Sequence, residues 1–202
     1  MAEQSTKVKK KQWYPIVAPK LFDYTLIGET LVFEPSQMIG KTLNYSLMNL
    51  TNDPKRQNVT IFFKVIGVEG DNGKTNIIGY QIVPSSLKRF VRRNSEKIDL
   101  SFTCETSDNL TVRVKPLLIS RWDVKGSVSA KLKSSVINYL LKTIKKMTYE
   151  EVINDLISKK IQDGMRATLN KVYPLKICEI RYFGIETSKK KEEVVLQVAE
   201  SK

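Results

Sequence analysis

The sequence predicts an α+β fold: an antiparallel β-barrel or sandwich-like core, packed C-terminal helices and a returning last strand. Three observations predict it. Between Tyr24 and Arg121, apolar residues recur at every second position between clusters of turn-forming residues. From Ser127 the apolar spacing becomes helical. After Pro174 the period of two returns.

The chain opens on a basic run, Lys7 to Lys11, broken only by Val8. Such a run has too few apolar side chains to fold alone, and it takes up structure on a polyanion or stays solvated. We expect residues 1–12 to form an arm, residues 13–187 a single domain, and residues 188–202 a mobile charged tail. Trp13 and Tyr14 at the root of the arm are large enough to anchor it, or to stack on a base.

Leu43, Tyr45 and Leu47 alternate with Asn44 and Ser46, which predicts a strand. Val59, Ile61, Phe63 and Val65 predict another, and Ile77-Ile78 with Tyr80 to Val83 a third. Asn72-Gly73 predicts a type I′ hairpin turn between those two. Ile98, Leu100, Phe102 and Cys104 read as one continuous strand; Leu110, Val112 and Val114 read as its neighbour. A short helix interrupts the series after Pro84-Ser85-Ser86. Leu87, Phe90 and Val91 would hold it down, with Lys88, Arg89, Arg92 and Arg93 on its other side.

Val128, Leu132, Val136, Ile137, Leu140, Leu141 and Ile144 form the first helical stripe. Thr148 and Glu151 have the spacing of a capping box that starts the next helix. Its stripe runs from Val152 to Val172, with Gly164 as the expected kink or division and Pro174 as the stop. In the last strand, Cys178, Ile180 and Tyr182 should share the buried face.

Composition narrows the function. The chain has 202 residues, 34 Lys+Arg against 21 Asp+Glu, and a formal net charge of +13. That charge favours nucleic acid or an anionic surface as partner. No apolar stretch approaches the roughly 20 residues of a membrane span, and none follows the basic start as in a secretory signal. No membrane partner and a cytoplasmic location are therefore expected. With no histidine and two distant cysteines, Cys104 and Cys178, a Cys/His zinc site and the Ser-His and Cys-His nucleophile pairs are excluded. No metal, no cofactor and no enzymatic activity are expected. Gly70-Asp71-Asn72-Gly73-Lys74-Thr75 looks like a phosphate-binding loop, but the glycine required six residues before the lysine is Val68.

The basic residues cluster. Between Asn109 and Tyr149 stand Arg113, Lys115, Arg121, Lys125, Lys131, Lys133, Lys142, Lys145 and Lys146, with Asp123 as the sole acid. From Glu150 to Asp163 acids prevail. Three patches suit phosphate: the arm; the short helix with Lys88, Arg89, Arg92 and Arg93; and the run Arg113, Lys115, Arg121, Lys125. Each patch alone is commonly a solvated face; their coincidence in one basic chain points to RNA.

The stretch Lys10-Lys11-Gln12-Trp13-Tyr14-Pro15-Ile16-Val17-Ala18-Pro19-Lys20-Leu21-Phe22 resembles the start of the archaeal and eukaryotic small-subunit ribosomal protein family e-S-one, also called S-three-a-e. Ile27-Gly28-Glu29-Thr30, Gln57-Asn58-Val59, Arg113-Val114-Lys115-Pro116, Tyr173-Pro174-Leu175-Lys176 and Glu179-Ile180-Arg181 continue the likeness in order. The compact ends resemble an archaeal member. The resemblance implies a structural ribosomal protein with a β-barrel and packed helices on the small-subunit platform. It implies small-subunit rRNA as partner near the mRNA exit, a neighbouring platform protein of the uS-eleven type, and mRNA near the exit as a further candidate. By motif it carries an RNA-binding role to Lys10, Lys11, Trp13, Lys20, Arg113 and Lys115. Charge pattern adds Lys7, Lys9, Lys88, Arg89, Arg92, Arg93, Arg121 and Lys125. The chain departs from the family after Arg121, where Trp122-Asp123-Val124-Lys125-Gly126-Ser127 replaces a more arginine-rich run. The competing class is a free RNA-binding regulator or ribosome assembly factor, which would share the charge but sediment apart from ribosomes.

Overall fold

The computed structural model describes residues 10–186. The chain divides into two compact units, the first ending at Val83 and the second beginning at Pro84. Both mix strands with helices, as the periodicities require.

In the first unit, β1 (Gln12–Val17) and β2 (Leu26–Val32) pair antiparallel. After β3 (Thr42–Ser46) come α1 (Leu47–Thr51), β4 (Val59–Glu69) and β5 (Asn72–Ile82). The order across this unit is β2-β1-β5-β4-β3. All its pairs are antiparallel except β1 with β5, which run parallel at Ile16 and Val17. The Thr75 hydroxyl extends that short ladder by donating to the Val17 carbonyl at 2.7 Å.

The sheet is not closed into a barrel, because β2 and β3 are not hydrogen-bonded to each other. Side chains link the two edges instead. Lys41 Nζ donates to Thr30 Oγ1 at 2.9 Å, and a Cβ added at Gly28 would lie 4.0 Å from Leu43 Cδ2. Tyr14, Ile16, Val32, Met38 and Val65 fill the interior, and Phe22 meets Phe63 edge-to-face at 6.0 Å.

Two local expectations change here. Leu47 opens α1 rather than ending a strand, because Leu47, Leu50 and Thr51 follow helical spacing and Thr51 Oγ1 closes back on the Leu47 carbonyl. The hairpin turn sits at Gly70-Asp71, with Glu69 paired to Asn72. Gly70 alone takes a left-handed φ of 60° there, the arrangement of a type II′ turn with glycine first. Gly73 lies within β5, and a Cβ there would be 3.5 Å from Ile16 Cγ1 and Met38 Sδ.

The second unit begins with α2 (Pro84–Phe90), followed by β6 (Lys97–Asp99), β7 (Phe102–Glu105) and β8 (Thr111–Ser120). Then come α3 (Gly126–Ile144), α4 (Tyr149–Ile157), α5 (Lys160–Asn170) and β9 (Leu175–Ile185). Strand β8 pairs antiparallel with β6 and β7 along one edge and with β9 along the other. Leu132, Val136, Leu140 and Ile144 of α3 are buried, as their spacing predicts. The capping box at Thr148 and Glu151 is formed in both directions.

Two departures from the expected strands lie at Pro116, in the middle of β8. Its carbonyl accepts from Leu100 N at 3.3 Å, so the N–H it lacks is missing from the edge shared with β6 and β7. On one side, β6 and β7 keep a common register along β8 yet separate at Leu100 and Ser101, opposite Pro116 and Lys115. On the other side, Lys115 pairs with Tyr182 but Pro116 with Ile180, which leaves Arg181 as the extra residue of a bulge. The alternation of β9 therefore reverses. Cys178 and Ile180 are buried as expected, but Phe183 takes the core position that simple alternation assigns to Tyr182.

The break between the last two helices also moves. Lys159, with a left-handed φ of 63°, separates α4 from α5. Buried Gln162 donates from Nε2 to the Leu156 carbonyl at that junction, at 3.1 Å, beside the bond that carbonyl accepts from Lys159 N. Gly164 lies inside α5, where a Cβ would fall 2.3 Å from the Tyr139 hydroxyl. Its role is close approach rather than a kink.

Candidate nucleic-acid interface

Lys10 and Lys11 are exposed and precede β1. Lys7 and Lys9 lie outside the described residues, as does the expected tail. Strand alternation separates the two aromatics at the arm's root. Tyr14 is 8% exposed and belongs to the core, whereas Trp13 is 65% exposed. On β2, Leu31 sits across from Trp13, and the Lys11 ammonium lies 5.2 Å from the Phe33 ring centroid. Lys20 begins a short 3-10 turn that buries Phe22 and leaves the lysine in solvent. The first unit thus offers exposed cations beside an exposed indole.

In the second unit, α2 carries Lys88 and Arg89 on its surface. The helix stops at Phe90, so Arg92 and Arg93 lie beyond it and do not share a helical face with the other two. Ser95 causes the stop locally: its hydroxyl accepts from Arg92 N and donates to the Arg92 carbonyl at 2.7 Å, an alternative to the helical bonds. Anchoring is also different from expectation. Ser86 is the buried residue of α2, while Leu87 and Phe90 are half-buried and Val91 is exposed.

Arg113 and Lys115 project from the same face of β8, as period two requires. They are not equivalent. Arg113 forms an ion pair with Glu186 and donates from Nη1 to Ser101 Oγ at 3.4 Å. Lys115 rests over the Tyr182 ring at 5.0 Å. Among the described residues, Arg113 alone of the candidate cations sits in an ion pair. By contrast, Asp155 of the acidic stretch is paired within it by Lys160 at 3.6 Å, while Lys159 pairs with Glu179 of β9 at 3.7 Å.

Arg121 and Lys125 are exposed at the two ends of the loop between β8 and α3. Between them stands Trp122, 56% exposed, with the Arg121 guanidinium 5.5 Å from its ring centroid. Charge pattern marked Arg121 and Lys125 in this loop, and the resemblance marked its shortage of arginine. A tryptophan flanked by cations was the signal both passed over. Lys131, Lys133, Lys142, Lys145 and Lys146 continue the exposed cations along and just beyond α3.

Other chemistry finds little support here. Among the described residues, no group of three or more His, Cys, Asp or Glu could hold a metal ion, and no helix is long and apolar enough to cross a membrane. Burial pushes the Cys104 thiol up to about 11 against the opposing pull of Lys145, and the Cys178 thiol up to about 12. Neither is an activated nucleophile. A cavity of about 260 Å³ lined by Thr103, Cys104, Glu105, Thr111, Leu141 and Lys145 brings no catalytic pair together.

Residues 2–188 match the model of the ribosomal S3Ae family. The chain belongs to that family. Similar proteins include the small ribosomal subunit protein eS1 of Nanoarchaeum equitans, 31% identical over 182 residues, which covers 90% of this chain and 92% of that protein. The eS1 protein of Sulfurisphaera tokodaii is 31% identical over 174 residues, covering 86% and 90%. That of Haloarcula marismortui is 27% identical over 188 residues, covering 92% and 88%. For this S3Ae-family chain, the matched region takes in the basic arm, both structural units and every candidate cation.

Proposed function

We propose that the chain is a structural constituent of the small ribosomal subunit that binds rRNA on the platform near the mRNA exit and supports translation. Family membership supports the ribosomal part. The observation that carries the RNA part is the set of exposed cations without carboxylate partners among the described residues: Lys88, Arg92, Arg93, Arg121 and Lys125 in the second unit, and Lys10, Lys11 and Lys20 in the first. Structural ion pairing would have consumed such charges; left in solvent, they release counterions from a phosphate backbone. Trp13 adds a stacking surface beside the arm. Neighbouring platform proteins of the uS-eleven type and mRNA near the exit are the further partners of this reading. The role is one of binding and shaping RNA, with no catalytic step and a place in the cytoplasmic ribosome.

The test is in two parts. The native protein should sediment with small subunits in a sucrose gradient, and purified protein should bind a small-subunit rRNA fragment with affinity that falls steeply with salt. Near-stoichiometric protein running free of subunits overturns the ribosomal role. Affinity that stays flat across the salt series overturns phosphate binding.

A further inference from the structure

The loop from Arg121 to Lys125 is held in place from several sides. The Ser120 hydroxyl accepts from Glu96 N at 2.9 Å and donates to the Trp122 carbonyl. Ser120 N donates to the Glu96 carbonyl at 3.0 Å, and Arg121 N to the Pro174 carbonyl at 3.3 Å. The Tyr173 hydroxyl donates to the Asp123 carbonyl at 3.2 Å. A fully buried serine and three other partners thus fix the backbone on both sides of Trp122. The Trp122 side chain nevertheless stays 56% exposed. Burial therefore does not account for the indole, although its backbone is ordered by the fold.

The same serine joins two basic segments. Glu96 follows the turn that carries Arg92 and Arg93, and its backbone is bonded to Ser120 in both directions. The backbone just after the exposed Arg92 and Arg93 is thereby tied to the strand end that leads into Arg121 and Trp122. Lys125 caps the start of α3 on the far side of the loop. Arg121 lies over the indole, and the exposed remainder of the ring is left for a second planar group. An indole on an ordered backbone, with one arginine over it and further exposed cations on the segments bonded to it, matches the way proteins hold unpaired nucleotides, with bases on rings and phosphates on cations. A duplex, whose bases are already stacked, has no use for the ring.

We infer that Trp122, with Arg121, Arg92, Arg93 and Lys125, forms a stacking site for an unpaired nucleotide in single-stranded RNA. This rests on the RNA-binding reading above and adds the strand state of the ligand. Trp13→Phe leaves Trp122 as the sole tryptophan of the full-length chain. Fluorescence of that variant should be quenched by a short single-stranded oligouridine and much less by an RNA hairpin stem of equal charge. Trp122→Ala in the otherwise native chain should weaken oligouridine binding by roughly 5- to 150-fold, while Trp122→Phe retains most of it and both keep the native circular dichroism. If Trp122→Ala binds oligouridine as tightly as the native chain, or the stem quenches equally, the stacking site is refuted while salt-dependent rRNA binding stands. If neither RNA nor an rRNA fragment binds at all, both readings fall. Protection of Trp122 by a protein partner, with no change on adding RNA, also overturns the site.

Discussion

Replacing Phe183 by alanine tests the bulge in β9. Phe183 is 0% exposed and stacks on Tyr149 with ring centroids 5.6 Å apart and planes 23° from parallel. Truncating a buried phenylalanine costs about 3–5 kcal/mol. With a urea m-value of about 2–3 kcal/mol/M for a chain of this size, the midpoint should fall by about 1–2 M. Tyr182 is the matched control. Simple alternation would make it the core residue, but the extra Arg181 turns it to a half-buried position beneath Lys115. Its loss removes mainly a cation–π contact, so Tyr182→Ala should cost about 1 kcal/mol, or ~0.3–0.5 M in urea midpoint. Urea titrations of both variants, followed by far-UV circular dichroism, give the comparison directly. If Tyr182→Ala costs as much as Phe183→Ala, the bulge is misplaced.

Thr148→Ala removes one half of the capping box, whose Thr148 N donates to Glu151 Oε2 at 2.9 Å; it should cost about 1 kcal/mol and lower the melting temperature by about 2–4 °C. Both buried thiols are raised from the ordinary value of 9.0. The folded state keeps their full contribution below pH 9 and loses it as pH climbs toward 11 and 12, because the unfolded thiols ionise first. Cys178→Ala should therefore flatten the fall of melting temperature above pH 9; an unchanged slope would contradict it. Arg92→Ala and Arg93→Ala should each reduce the log–log salt slope of rRNA binding by about 1. Arg113→Ala should reduce it less, since Glu186 already balances that charge; an equal reduction would show that the pair opens on RNA.

Legibility varied with the range of the interactions involved. The stripes of α3, α4 and α5, the capping box and most strands were readable because a residue's face follows from spacing alone. The end of α2 was not. Arg92 and Arg93 fit a helical face, but a hydroxyl three residues further on competes for the backbone at Arg92. Gly164 looked like a breaker because glycine often is one; the reason for it is a tyrosine on a different helix. The candidate interface was legible as charge, and its cations are indeed on the surface. Which of them are committed elsewhere was not, since Arg113 meets Glu186 across 73 residues of chain.

By itself the sequence determined the α+β class, the positions of most helices and strands, the cationic surface and the family. These depend on local period, composition and motif, which need no knowledge of what lies across the fold. Tertiary structure alone decided which aromatic of each neighbouring pair is buried: Tyr14 rather than Trp13, Phe183 rather than Tyr182. It also decided that the first unit's edges meet through side chains instead of closing, and that Ser120 bonds the backbone after Arg92 and Arg93 to the strand end before Trp122. Each of these turns on hydrogen bonds or contacts between residues distant in sequence. The register shift of β9 occurs opposite Lys115 and Pro116, more than sixty residues away, and no local pattern records it.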